Sequence, residues 1–94
     1  MDGEPFQPHE ARRRIKAVLA NDGLLFTRHS KAEMLADDLQ RADIVNILRC
    51  GQVEPPEEVR GTWRYRVRTS RMMAVIAFES DQEIIVVTAW RIKT

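Results

Sequence analysis

The chain holds a single cysteine, Cys50, so no internal disulfide can form and no thiolate cluster can hold a metal. The expectation for Cys50 is a buried, inert thiol. Long hydrophobic runs are missing: the longest, Met72 to Phe78 and Ile84 to Trp90, have strand length and fall far short of the roughly 18 residues a membrane-crossing helix needs. No membrane partner is expected. The opening Met1-Asp2-Gly3-Glu4-Pro5 is acidic and has no apolar stretch, so no secretory signal is read and the cytoplasm is the expected compartment. An excess of one charge is missing too. Lys plus Arg is 15 against 14 for Asp plus Glu, and the net +1 excludes a strong global field toward nucleic acid or membrane.

There is no Gly-rich phosphate loop and no G-x-S-x-G nucleophile elbow. Two histidines, His9 and His29, one cysteine and scattered acids do not make a zinc or two-metal ligand set. Chemistry without a metal or cofactor is therefore expected. Asp37-Asp38 has no calcium-loop spacing and reads as a loop or helix-start acid pair.

What is present fits one small globular domain over residues 1–94, with 44% apolar residues and a modest core. A helical first half and a strand-rich second half indicate an α+β fold. Pro8 suits a first helical turn, and Ala11, Ile15, Val18 and Leu19 then repeat at helical spacing until Asn21-Asp22-Gly23, which predicts a helix over about Pro8 to Ala20. Arg12, Arg13, Arg14 and Lys16 fall on its solvated side. Leu24 to Thr27 reads as a short strand delivering Arg28 and His29 to a helix over about Lys31 to Ala36, with Ser30 as N-cap and Glu33 closing a capping box. Leu39, Ile44, Val45 and Leu48 mark a further helix that stops at Gly51. Val53 to Val59, with Pro55-Pro56 and three glutamates, is a connector that cannot lie in the middle of a sheet.

From Gly61 the period changes to two. Trp63, Tyr65 and Val67 alternate with Arg64, Arg66 and Arg68, so rings and guanidinium groups point to opposite faces. Turns at Thr69-Ser70-Arg71 and Ser80-Asp81-Gln82 complete a three-stranded antiparallel meander from Gly61 to Trp90. The expected core contains Ile15, Leu19, Ile44, Leu48, Val75, Ile85 and Val87.

Arg60, Arg64, Arg66, Arg68 and Arg71 lie in one hairpin with no acid between them. Guanidinium groups near Trp63 and Tyr65 are the elements that single-stranded nucleic acid binding uses, phosphates on the cations and bases on the rings. The plainer reading is an edge strand kept soluble by charge, with the rings in the core. His29 stands at a strand-to-helix junction, where a side chain projects from a rigid frame and a phosphate can meet free backbone N–H groups. Arg91 ends the last strand, where it could extend the arginine rim.

Taken in order, Phe26-Thr27-x-His29, Glu33-Met34, Asp43-Ile44-Val45-x-x-Leu48-x-x-Gly51, Gly61-x-Trp63-Arg64-Tyr65-x-Val67 and Val86-Val87-Thr88-x-Trp90 resemble a family of small bacterial domains grouped with RelE/ParE and MqsR-like toxins. The likeness covers about Leu24 to Arg91. Many members carry arginine just before the methionine, where this chain has Glu33. The resemblance implies a RelE-like fold, N-terminal helices on one face of a small antiparallel sheet, and the toxin of a toxin–antitoxin pair that cleaves mRNA without metal, on or off the ribosome. It implies His29 as general base or acid, Arg64 as phosphate clamp and Tyr65 as proton donor or stacking platform, with Lys31, Arg66, Arg68 and Arg91 on the RNA. Alternation sets Tyr65 opposite Arg64 and Arg66, so the three share a site only if a bulge or strand end intervenes. The implied partners are RNA and a cognate antitoxin protein. A non-enzymatic ParE-type toxin, or a binding module whose arginine face docks an acidic antitoxin segment, is the competing expectation.

Overall fold

The computed structural model describes residues 1–93 and has the element order α1 (Pro8–Ala20), β1 (Leu24–Phe26), α2 (Arg28–Ala36), α3 (Arg41–Cys50), β2 (Gln52–Val53), β3 (Glu57–Val59), β4 (Thr62–Arg68), β5 (Met72–Phe78) and β6 (Ile84–Arg91). The strands form one sheet in the order β1-β6-β5-β4-β2, with β3 also pairing β4. The expected α+β class and the antiparallel meander of β4, β5 and β6 are both present. The sheet is mixed, however, because β1 runs parallel to β6. Parallel neighbours need a long crossover, and here the connection takes in both short helices and the rest of the sheet.

Proline at the first position of α1 removes only an N–H that has no helical partner, and Ala11, Ile15 and Val18 form the buried stripe of that helix. Helix α2 starts three residues earlier than the sequence predicts. Thr27 is its N-cap, its hydroxyl accepting from Ser30 N–H at 2.9 Å, while the Ser30 hydroxyl donates back to the Thr27 carbonyl at 2.9 Å. Ser30 is thus a fully buried first-turn residue rather than the cap, and His29 lies inside the helix. Helix α3 is capped by Asp43, whose carboxylate accepts from Gln40 N–H at 2.8 Å. It buries Ile44, Ile47 and Leu48. Cys50 falls on the outer side and is exposed, which corrects the expectation of a buried thiol.

The three helices share one core with one face of the sheet, built on Tyr65, Val67, Ala74, Ile76, Phe78, Ile84, Val86 and Ala89. Gly51, the C-cap of α3, permits a close packing of the chain against β4: a Cβ there would lie 2.5 Å from the Ile47 carbonyl oxygen and 2.9 Å from that of Arg68. Arg12 secures the same corner by donating to the carbonyls of Arg49 and Gly51 at the C-terminus of α3.

Strict alternation fails in β6. Val75 pairs with Thr88 and Ile76 with Val86, so Val87 is an extra residue in a bulge. Ile84, Val86 and Ala89 therefore point into the core, and the expected core residues Ile85 and Val87 are only half-buried. Ile15, Ile44 and Leu48 are buried as expected, Leu19 is partly buried, and Val75 is buried on the opposite face of the sheet. Among the described residues no helix is long and apolar enough to cross a membrane.

Candidate functional site

Strand β4 is delivered by a two-residue turn, Arg60-Gly61, with φ of 53° and 81°. Two positive φ values in succession match the twist of a tight hairpin, and Gly61 adopts its value without steric cost. From this turn Arg64, Arg66 and Arg68 project to the sheet face that the helices leave uncovered, and Tyr65 and Val67 project into the core.

Cross-strand register extends the open face. Arg66 lies opposite Val75 and Arg68 opposite Met73, and the row continues from Val75 to Thr88 and from Met73 to Trp90. Ala77, Ile85 and Leu25 follow toward the far edge. The result is an arginine row along one side of an apolar strip that ends in one aromatic ring. Trp90, not Trp63 or Tyr65, is the ring that shares a face with the arginines. Its place depends on the β6 bulge, a register feature that composition does not reveal.

The edge strands bring acid to this face. Glu57 lies opposite Arg64, and its carboxylate is 3.6 Å from Arg66 Nη2. Glu54 is 3.8 Å from Arg68 Nη1. Both separations exceed hydrogen-bond length and both pairs are partly exposed, so they neutralise charge locally and add little stability. Gln52, Val53, Glu54, Pro55, Glu57, Arg64 and Arg66 line a cleft of about 520 Å3. Arg64 Nε is closed off from solvent with no hydrogen-bond partner among the described residues. A buried N–H of this kind costs free energy until something accepts from it.

The other sequence-predicted residues lie elsewhere. Tyr65 is fully buried, 5.2 Å from Phe78 between ring centroids and edge to face with it. Its hydroxyl accepts from Phe6 N–H at 3.0 Å and donates to Glu4 Oε2 at 2.8 Å. Burial pushes the phenol up to about 12, and the Glu4 carboxylate adds to the rise. No bulge or strand end turns Tyr65 toward the arginines, so it shares no site with them.

Arg91 has the core-side parity of Met72, its cross-strand neighbour. Its side chain donates to the carbonyls of Asp37 at 2.9 Å and Asp38 at 3.0 Å, and its N–H donates to the Asp37 carboxylate at 2.7 Å. Rather than extending the arginine rim, Arg91 ties the end of β6 to the C-terminus of α2, where a cation meets the negative end of the helix dipole.

His29 is exposed in the first turn of α2, with Nε2 4.0 Å from Glu33 Oε1, and Lys31 is exposed on the same helix. Phe26, Val86, Ile76 and Tyr65 form one row across the sheet, so the strand end that leads into His29 is three strand spacings, or roughly 14 Å, from β4. The structure does not bring His29 and the arginine row into one site. Among the described residues no three His, Cys, Asp or Glu side chains gather as a metal-binding group.

The fold and this surface define a small α+β domain whose sheet has one helix-covered face and one open face edged by arginine. The chain belongs to the family described as domain of unknown function DUF4258, whose model matches residues 26–91, from the end of β1 to the end of β6. No curated protein and no solved structure gives a significant match to the chain.

Proposed function

We propose that the protein binds single-stranded RNA on the open face of its sheet, as the RNA-directed member of a toxin–antitoxin pair of the RelE/ParE and MqsR-like kind. The observation that carries this reading is the row of Arg64, Arg66 and Arg68 on the face the helices leave uncovered. The exposed guanidinium groups of Arg66 and Arg68, with Arg64 beside them in the same row, can grip phosphate oxygens bidentately. Met73, Val75 and Ala77 are themselves buried, and the partly exposed Trp90 at the end of their row gives a base a ring to lie on. The test is binding of an unstructured RNA at several salt concentrations by wild type and by the Arg64→Gln, Arg66→Gln, Arg68→Gln triple variant. Salt-independent binding, or a triple variant that binds like wild type, removes the reading.

A second reading adds metal-independent cleavage by His29. It is favoured by the exposure of that imidazole and by the Glu33 carboxylate beside it. The separation from the arginine row means that one phosphate cannot be held by Arg64 and attacked through His29 together. An RNA strand would have to cross the sheet from the arginines to α2. Incubation of RNA with purified wild type and His29→Ala in EDTA tests this reading.

A further inference from the structure

We infer that the cleft between the edge strands and β4 reads guanine within the bound strand, with Glu57 as the residue that recognises the base edge. The inference rests on the RNA reading above. On a face that attracts phosphate, a carboxylate is a cost unless it meets a hydrogen-bond donor, and this cleft holds two carboxylates, Glu54 and Glu57, beside Arg64 and Arg66. Their separations from Arg68 and Arg66 are too long for hydrogen bonds, and no other hydrogen bond reaches either carboxylate among the described residues. Both keep their acceptor capacity, and the guanidinium groups of Arg64 and Arg66 line the same cleft.

The cleft therefore asks for a ligand that carries an anion and a donor edge side by side. A nucleotide does so, and the bases differ in the edge they offer. Guanine presents two neighbouring donors, N1–H and the N2 amine, spaced for the two oxygens of one carboxylate. Adenine and cytosine each present one amine next to a ring nitrogen acceptor that a carboxylate repels, and uracil presents a single N–H between two carbonyls. Unstacked bases in single-stranded RNA expose this edge. Glu57 is suited to meet it because it stands directly opposite Arg64 on the β3–β4 hairpin, which puts the base edge and the phosphate grip on adjacent strands.

The experiment measures binding, by fluorescence anisotropy, of three otherwise identical uridine-rich oligoribonucleotides that contain one central guanosine, one central inosine, or uridine only. Inosine lacks the N2 amine and keeps the rest of the base, so this comparison needs no change in the protein. Wild type is expected to prefer guanosine over inosine by at least about fivefold. Glu57→Gln should bring that ratio close to one while binding of the uridine oligomer stays the same or tightens. A ratio near one in wild type, with salt-dependent binding of all three, overturns the guanine inference and leaves the RNA reading intact. An unchanged ratio in Glu57→Gln, with equal tightening on all three oligomers, overturns the role of Glu57 and makes it only a counterion of the arginines. Failure of all three oligomers to bind at low salt overturns the RNA reading, and the inference falls with it.

Discussion

Arg68 and Trp90 flank the same residue, Met73, on the uncovered face of the sheet. At about 4.8 Å per strand they stand roughly 10 Å apart, a span over which one nucleotide can touch a cation with its phosphate and a ring with its base. The arginine row on β4 and the Trp90 ring on β6 thereby belong to one surface, although β5 separates the two strands.

Removal of charge from that surface should show first in the salt dependence. Each of Arg64, Arg66 and Arg68 that contacts a phosphate should contribute about 0.7 to the slope of log affinity against log salt for a single strand. Titrations of the single Arg→Gln variants at four or more salt concentrations measure this. Arg91→Gln should leave the slope at the wild-type value, because its guanidinium is already engaged with the Asp37 and Asp38 carbonyls.

His29→Ala should leave RNA affinity within about twofold of wild type, since the strand end that leads into His29 is three strands away from the arginine row. If the cleavage reading holds, the same variant lowers the single-turnover cleavage rate by about a hundred- to ten-thousand-fold, and wild type cleaves in EDTA. Wild-type cleavage by His29→Ala would take the imidazole out of the chemistry.

Tyr65→Phe keeps the ring packing and leaves Phe6 N–H without its acceptor, which should cost about 1 to 3 kcal/mol of stability. The phenol also has a pH signature. Its folded value is raised to about 12 from an ordinary value near 10, so its contribution is fully present below about pH 10. That contribution is lost as pH rises toward 12, because the unfolded chain ionises first, and it amounts to about 2 to 3 kcal/mol. Denaturant midpoints from pH 8 to 12 should fall more steeply for wild type than for Tyr65→Phe.

Ile84 and Ile85 are neighbours of the same type on opposite faces, one fully buried and one half-buried. Ile84→Ala should cost about 2 to 5 kcal/mol through the cavity it opens. Ile85→Ala should cost about 1 kcal/mol, because its site is part of the open face and leaves no closed void. Equal losses in urea unfolding would contradict the two-faced sheet.

Elements governed by local spacing were legible in the sequence. The helical repeats of Ile15 and Ile44 and the alternation of Arg64, Arg66 and Arg68 with Tyr65 and Val67 follow from periods of 3.6 and two, which neighbouring residues impose on one another. They determined the three helices, the meander and the exposure of the arginines on one face. The start of α2 differs from the one the spacing predicts because Thr27 and Ser30 are both able to cap, and burial of Ser30 decides between them. Tertiary structure alone decided what stands beside the arginines. The parallel pairing of β1, the bulge at Val87 that keeps Trp90 on the open face, the approach of Glu54 and Glu57, and the distance of His29 all depend on contacts between segments far apart in the chain. Such register is set by how whole faces fit together once the core closes, and a sequence pattern contains each face without saying which strand it meets.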